Sequence, residues 1–151
     1  MEFSLAMEQC FHKLGKKKIM ALGSSLDDKV SVRNVSCIIH DKKIYFKTDK
    51  NFPKTKQLLE NPNVAICHWG VQIEGVALNH GLVVLEENKF FQELYEQHWK
   101  NSYTAYPHEK TEILIEVVPQ FIEIWDQDEN NHGFQVLIDV GNKTAEKCLY
   151  D

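Results

Sequence analysis

The sequence contains no long apolar run, and none of its hydrophobic stretches approaches the ~20 residues that a transmembrane helix needs. Of its 151 residues, 43% are hydrophobic and 26% are charged, a balance typical of a folded protein rather than a disordered one. Acidic residues Glu2 and Glu8 interrupt the apolar positions of segment 1–14, which argues against a signal peptide. We therefore expect a single cytoplasmic domain with no membrane segment.

Clustered metal ligands and nucleotide-binding glycine motifs are also missing. The four cysteines lie far apart without a Cys-x-x-Cys pair, and the seven histidines are equally scattered. This distribution predicts reduced thiols and no metal site, because zinc sites and disulfide frameworks need clustered or dense cysteine. No glycine-rich phosphate loop is present, which disfavours Rossmann and P-loop folds. No triad or paired-carboxylate pattern is present either, so the sequence predicts no catalytic side chain.

Charge is distributed unevenly along the chain. The net charge of −5 argues against a general nucleic-acid binder. Residues 1–75 contain 12 basic and 8 acidic side chains, whereas residues 76–151 contain 5 basic and 14 acidic ones. An anionic ligand should therefore favour the first half, and two copies of the chain could pair through complementary charge. The alternative is that lysine-rich turns solvate one end of the fold.

Short β-rich segments separated by turn residues follow an N-terminal helix. The spacing of apolar residues predicts helices at Ser4–Leu14 and Asn88–Lys100. A further short helix is predicted to follow Asn51, which would be its N-cap, with Pro53 in its first turn. The pattern predicts strands at Ile19–Ser24, Val30–Ile39, Ile44–Thr48, Val64–Trp69, Val71–Leu85, Ile113–Trp125 and Phe134–Val140. Pro119 indicates a bulge or a sheet edge within its strand, and Gly75 or Gly81 indicates a bend in the long strand Val71–Leu85. The predicted fold is mainly β, a six- to seven-stranded antiparallel barrel with about three short helices, with Trp69 and Trp99 in its core.

Arg33 is the only arginine of the chain. Strand alternation puts it on one face with Val35, Cys37 and Ile39, so its guanidinium points toward partly apolar surroundings. Such a group needs an anion or several acceptors, and its planar fork suits a phosphate or the carbonyl edge of an aromatic ring. An internal ion pair, for example with Glu74, is the alternative.

A second candidate site follows the third predicted strand. If Ile44 and Phe46 face the core, Thr48 ends the same face, and the chain then enters a helix with Lys54 in its first turn. Free amides at a helix N-terminus attract phosphate, and the hydroxyl and the lysine would add to that attraction. The sequence therefore predicts a monoester-phosphate site here, although a solvated helix face would explain either Lys54 or Lys56 alone.

The order of these features resembles the pyridoxamine 5′-phosphate oxidase-like FMN-binding split barrels. The resemblance lies in "SVRNVSCIIHDKKIYFKTDKNFPKTKQLLENPNVAIC" and extends more weakly over "VQIEGVAL" and "FIEIWDQD". It implies a single split-barrel domain spanning residues 1–151. It also implies FMN contacts from Arg33, from the backbone of Val35 and Ser36, and from Thr48 and Lys54 on the phosphate. The resemblance further implies a homodimer with flavin sites at the interface, in which Trp125 reaches the partner's flavin.

Two departures from the family pattern qualify the expected activity. True pyridoxamine-phosphate oxidases carry an Arg-x-His pattern after the late tryptophan, whereas this chain has the acidic "WDQDENNHGF", so that substrate is not expected. A flavin-contacting glutamine is replaced by Gly70, which leaves Gln72 as a substitute, and His132 is either a flavin neighbour or simply solvated.

The resemblance implies a small FMN oxidoreductase of the general-stress or nitroimidazole-reductase-like type. Such a protein would pass electrons from a reduced nicotinamide to a small acceptor, with the cofactor carrying the chemistry. The alternatives are a non-catalytic flavin-binding or sensing module, and a split barrel that holds haem or a deazaflavin.

Overall fold

The computed structural model describes residues 1–150, which form eight strands and four helices. The helices are α1 (Phe3–Leu14), α2 (Pro53–Glu60), α3 (Lys89–His98) and α4 (Lys100–Ala105), with a 3₁₀ turn at Glu86–Asn88. The strands are β1 (Lys17–Leu26), β2 (Lys29–His40), β3 (Lys43–Asp49), β4 (Asn63–His68), β5 (Val71–Leu82), β6 (Glu112–Gln127), β7 (Gly133–Asp139) and β8 (Thr144–Leu149).

Six of the strands close into an antiparallel barrel. The sheet order is β3-β2-β1-β4-β5-β6-β7-β8, and pairing of β3 with β6 closes the first six strands on themselves. Strands β7 and β8 continue the sheet beyond the barrel. This confirms the mainly β, antiparallel barrel that the sequence predicts. The predicted helix at Asn88–Lys100 corresponds to α3, whereas the six-residue α4 and the strand β8 are additional elements.

Tight turns set the register of the hairpins. Asp27 and Asp28 join β1 to β2, and Asp41 and Lys42 join β2 to β3, all with positive φ. Two successive left-handed residues are the signature of the hairpin turn whose twist matches that of the strands, and aspartate tolerates this conformation well. These turns fix which side chains of β2 face the barrel interior.

The main core fills the barrel and continues beneath α1. Side chains Ala6, Cys10 and Leu14 recur at helical spacing on α1 and pack into the same cluster as Val136 and Ile138 of β7. A second, smaller core lies outside the barrel, where Phe91 and Tyr95 of α3 pack with Ile38, Tyr45, Val83 and Leu114. Helices α3 and α4 are thereby held against β2, β3 and β6.

A bulge bends the longest strand pair, as the sequence predicts. Gly75 pairs with Pro119 while Glu74 pairs with Phe121, so Gln120 is the extra residue on β6. A β-carbon on Gly75 would lie 2.6 Å from the Val118 carbonyl oxygen, which explains why this position is glycine. A second irregularity between Asn79 and Leu82 ends β5 at Leu82, earlier than the predicted Leu85.

The barrel is split between β2 and β3. Only three residue pairs join these strands, Ile38–Tyr45, Ile39–Ile44 and His40–Lys43. Away from the β2–β3 turn, β2 remains paired with β1, as at Arg33–Leu22. In the same region β3 remains paired with β6, as at Thr48–Ile113. The two strands therefore diverge at the end where α2 begins.

Two local predictions are wrong. The N-cap position of α2 is held by Phe52 rather than Asn51, because the Asn51 amide donates to Asp49 Oδ1 (2.9 Å) in a turn that precedes the helix. Trp69 does not lie in the core: it occupies the β4–β5 turn and is 89% exposed. Trp99 does pack against the second core, and its Nε1 donates to the Cys37 carbonyl oxygen (3.1 Å).

No helix within residues 1–150 is both long enough and apolar enough to cross a membrane.

Candidate functional site

A cavity of about 650 Å³ opens in the split between β2 and β3. This volume is within the range of about 300–1,000 Å³ that small-molecule sites occupy. Its walls come from β2, from the end of β3, from the start of α2, and from the segment between α4 and β6. The lining residues are Arg33, Asn34, Val35, Ser36, Lys47, Thr48, Asp49, Phe52, Pro53, Lys54, Thr55, Tyr95, Tyr106, Pro107, Glu109 and Glu112.

Arg33 and Lys54 form the cationic corner of this cavity. Arg33 Nη1 donates to Ser24 Oγ (2.7 Å) and Arg33 Nη2 to the Lys54 carbonyl oxygen (3.2 Å), while Lys54 Nζ donates to the Val32 carbonyl oxygen (3.2 Å). Arg33 forms no salt bridge with any carboxylate of residues 1–150, so the alternative pair with Glu74 is absent from the described structure. Partial burial lowers the pKa of Arg33, but a guanidinium stays charged at neutral pH.

A hydroxyl pair and a helix N-terminus lie beside the two cations. Thr48 Oγ1 at the end of β3 is 2.8 Å from Thr55 Oγ1 in the first turn of α2. No side chain caps the N-terminus of this helix. Uncapped first-turn amides and a nearby hydroxyl are donors that suit an anion. Together with Arg33 and Lys54 they form a set of donors for a phosphate monoester.

The opposite wall carries a buried ion pair instead of free cations. Lys47 Nζ lies 2.9 Å from Glu112 Oε1 and 4.7 Å from the centre of the Tyr95 ring. Burial, followed by the Glu112 charge, raises the pKa of the Tyr95 phenol. Asp49 also lines the cavity, where hydrogen bonds from Thr111 Oγ1 and the Asn51 amide lower the pKa of its carboxyl group. These carboxylates are engaged by protein groups, which leaves the Arg33 corner to attract an anion.

Five of the six site residues predicted from the sequence line this one cavity, namely Arg33, Val35, Ser36, Thr48 and Lys54. Trp125 does not. It lies near the far end of β6 from Glu112, and at about 3.3 Å per residue that stretch of strand is roughly 40 Å long. Its ring is 46% exposed and packs against Tyr150, with ring centres 5.1 Å apart. Trp125 therefore does not contribute to this cavity within one chain.

Gln72 and His132 lie outside the cavity lining. Gln72 is on the outer face of the barrel, where it lines a shallow depression of about 300 Å³. His132 is exposed in the turn before β7, and its Nδ1 is 3.6 Å from Asp128 Oδ2. Neither side chain is brought to the site within one chain.

Several residues of the site escape sequence reasoning. Ser24 and Gln57 orient Arg33, since Ser24 Oγ donates to Gln57 Oε1 (2.5 Å) while accepting from the guanidinium. Alternation along β1 puts Ser24 on the inner face, and that was the only signal in the sequence for its role. Tyr95, Tyr106 and Glu109 come from distant segments and carry no local motif.

Comparison with solved structures identifies the class of fold. The chain has the split-barrel fold of pyridoxamine 5′-phosphate oxidase-like proteins. It is similar to general stress protein 26 from Bacillus anthracis, with TM-score 0.60, 20% identity, and coverage of 78% of this chain and 91% of the other. It is also similar to a pyridoxamine 5′-phosphate oxidase-related, FMN-binding protein from Nostoc punctiforme, with TM-score 0.61, 10% identity, and coverage of 100% and 97%.

The same fold occurs with another ligand. A haem-binding protein from Mycobacterium smegmatis matches with TM-score 0.64 and 9% identity, over 95% of this chain and 57% of the other. No protein-family model and no curated protein matches the sequence. The resemblance drawn from the sequence is thus confirmed at the level of the fold.

Proposed function

We propose that this protein is a flavoprotein that binds FMN in the cavity between β2 and β3. The observation that carries the proposal is the meeting of the lone arginine with Thr48 and Lys54 at an uncapped helix start, in one cavity of small-molecule size. A similar structure from Nostoc punctiforme is of an FMN-binding protein. The donor set fits a phosphate monoester, which is the anionic end of FMN.

Each part of the cavity has a role in this proposal. Arg33 and Lys54 would neutralise the phosphate, and Thr48 with the first-turn amides of α2 would donate hydrogen bonds to it. Val35 and Ser36 lie along β2 beyond Arg33, so their backbone would follow the ring system. The charge of Arg33 is held in place by Ser24 and by the Lys54 carbonyl oxygen, which fixes the site before the ligand arrives.

A bound flavin would accept a hydride from a reduced nicotinamide and pass electrons to a small acceptor. The protein needs no acid–base side chain for this activity, and two of the carboxylates that line the cavity, those of Asp49 and Glu112, are already engaged by protein donors. The acidic residues Asp126, Asp128 and Glu129 follow Trp125, so we expect an acceptor that lacks a phosphate group.

The proposal includes a homodimer with the flavin sites at its interface. The outer face of β2, β1, β4, β5 and β6 supports it, since this face exposes Ile19, Val30, Val32 and Trp125. At its centre Ala21, Gly23, Ala65 and Cys67 form a shallow depression of about 300 Å³ in which a second copy can pack closely. Such a two-fold pairing would let Trp125 of the partner subunit reach the cavity.

The first test is the visible spectrum of the purified protein, with release and identification of any chromophore. FMN would give a yellow protein, whereas haem or a deazaflavin would give its own spectrum. FMN titration of Arg33→Ala should then show affinity weakened by about 1–3 kcal/mol, the range for charge-assisted hydrogen bonds. Lys56→Ala is the matched control, because Lys56 lies on α2 outside the cavity lining. Equal FMN affinity of the two variants would contradict the proposed site.

A non-catalytic flavin-binding or sensing module is the second candidate. It would use the same cavity and the same phosphate donors, so the geometry of the site fits it equally well. Reduction of the bound flavin by NADH or NADPH, followed by transfer to a small acceptor, separates the two functions. A flavin that binds tightly but is not reduced would support the sensing module.

A further inference from the structure

Trp69 combines full exposure with an unfavourable backbone. Its side chain is 89% exposed, and its φ of 49° lies in the left-handed region. A bulky aromatic residue is a real outlier in this region, which glycine, asparagine and aspartate adopt far more readily. Exposed indole and backbone strain both cost stability in an isolated chain, and residues with such costs concentrate at functional positions.

The surroundings hold this turn firmly in place. The Trp125 amide donates to the Gly70 carbonyl oxygen (2.8 Å), and a β-carbon on Gly70 would lie 2.7 Å from the Trp125 carbonyl oxygen. On the other side, His68 Nδ1 lies 3.1 Å from the Ile19 carbonyl oxygen. The Trp69 indole is therefore projected from a rigid turn beside Trp125.

The sheet register relates Trp69 to the cavity. Ile19, which contacts the residue before Trp69, pairs on its other side with Ser36 of the cavity wall. Trp69, Ile19 and Ser36 thus lie at one level across the outer face. Consider a two-fold axis that is parallel to the strands and passes through the central depression. Rotation about this axis leaves the position of a residue along the strand direction unchanged, and it exchanges the β2 side of the outer face with the β5 side. It brings each Trp69 to Ile19 and Ser36 of the other copy.

Charge complementarity favours a second copy as the occupant of this surface. The Trp69–Trp125 end carries Asp126, Asp128 and Glu129, whereas Lys16, Lys17 and Lys18 precede Ile19 on the β1–β2 side of the face, at the same level along the strands. In the same two-fold pairing the acidic end of each chain meets the basic side of the other. Opposite charges at both ends of an isologous interface favour self-association in this orientation.

We propose that Trp69 is the anchor of this self-association and packs on Ile19 and Ser36 of the partner subunit, at the edge of the partner's cavity. The inference rests on the homodimer of the proposed function and adds the residue that positions it. A tryptophan that is fully exposed in one chain and buried in the pair fits the residues that dominate binding energy at interfaces.

Trp69→Asn tests this role, because asparagine adopts the left-handed backbone more readily than tryptophan and the variant should therefore fold at least as well as the wild type. We expect an unchanged or higher melting temperature, together with a dimer dissociation constant that rises about thirtyfold or more in sedimentation equilibrium. Leu5→Ala is the matched control, since Leu5 is an exposed apolar residue of α1 away from this face. It should leave both quantities unchanged.

The outcomes separate this inference from the proposed function. A wild-type dimer whose dissociation constant is unaffected by Trp69→Asn overturns the anchor role, and so does a wild-type chain that stays monomeric. A lower melting temperature with unchanged association would assign Trp69 to the turn alone. Should the asparagine variant fail to fold, Trp69→Phe must still weaken association. Titration of wild type with FMN is scored separately: no binding refutes the flavin site whatever the association data show.

Discussion

Lys47 and Glu112 form a buried ion pair in the cavity wall, with Nζ and Oε1 2.9 Å apart and side chains only 6% and 15% exposed. Glu112 Oε1 also accepts from the Glu109 amide (2.6 Å), and so ties the segment before β6 to β3. The pair therefore joins two cavity walls that belong to distant parts of the chain.

Glu112→Gln should destabilise the protein strongly. It leaves the Lys47 ammonium buried without its counter-charge, and breaking a buried pair in this way costs about 3–5 kcal/mol. Glu8→Gln is the control, since Glu8 and Lys42 form an exposed pair at 3.8 Å whose loss costs at most about 1 kcal/mol. Urea unfolding of both variants measures the difference, and comparable losses of stability would refute a structural role for the buried pair.

Ser24→Ala should weaken FMN binding without unfolding the barrel. The hydroxyl links Arg33 Nη1 to Gln57 Oε1, so its loss leaves the guanidinium less firmly oriented toward the ligand. Because this hydroxyl orients Arg33 and does not itself contact the ligand, we expect a loss of about 1 kcal/mol, which corresponds to a roughly fivefold higher dissociation constant in a flavin titration.

Ser31→Ala is the matched control for this change. Ser31 pairs with Ser24 across β1 and β2, and its side chain makes no hydrogen bond within the described part of the chain. If both variants bind FMN equally, Ser24 does not position Arg33 for the ligand.

Gly75→Ala should disturb the bulge between β5 and β6. The new methyl group would lie 2.6 Å from the Val118 carbonyl oxygen and 3.0 Å from Val117 Cγ1, so backbone must shift. Overpacking of this kind costs about 1–3 kcal/mol. Gly133→Ala is the control, because nothing lies within 4 Å of its β-carbon position. Equal unfolding free energies for the two variants would contradict this prediction, because they would show that the bulge accommodates the methyl group without loss of stability.

The sequence predicts the barrel and half of the site because both depend on local pattern. Alternation along β2 places Arg33 with Val35 and Cys37, and the entry into α2 brings Thr48 and Lys54 to the same cavity. The wall made by Tyr106 and Glu109 is not predictable in this way, because tertiary packing alone brings those segments to β2 and β3.

The wrong local predictions have a similar origin. The sequence analysis predicts Trp69 in the core, yet the Trp69–Gly70 pair forms the turn between two strands, where side chains leave the sheet. Asn51 has the chemistry of an N-cap, but Asp49 captures its amide and shifts the helix start to the next residue. The chemistry of a side chain alone therefore does not predict which of two neighbouring residues takes the N-cap position.

His108 is buried behind the cavity wall in an aromatic cluster, 7% exposed, with ring centres of Tyr95 and Tyr103 at 5.4 and 5.1 Å. Neither ring nitrogen makes a hydrogen bond of ordinary length and angle among residues 1–150, and Nε2 lies 3.9 Å from Glu96 Oε1. Burial, followed by the nearby Lys47 charge, lowers the pKa of His108, while the Gln92 backbone and then the carboxylates of Glu112 and Glu96 oppose this shift more weakly. The neutral imidazole is therefore the form that the fold favours.

The lowered pKa of His108 predicts acid sensitivity of the fold. As pH falls below about 6.5, the unfolded chain takes up a proton that folded His108 resists, so the free energy of unfolding decreases. His108→Phe keeps an aromatic ring in the cluster but removes the titration, and should flatten this decrease. Urea unfolding of wild type and variant at neutral pH and at about pH 5.5 measures it. His132→Gln, at an exposed histidine, should retain the wild-type slope. If His108→Phe also retains it, another group causes the acid sensitivity.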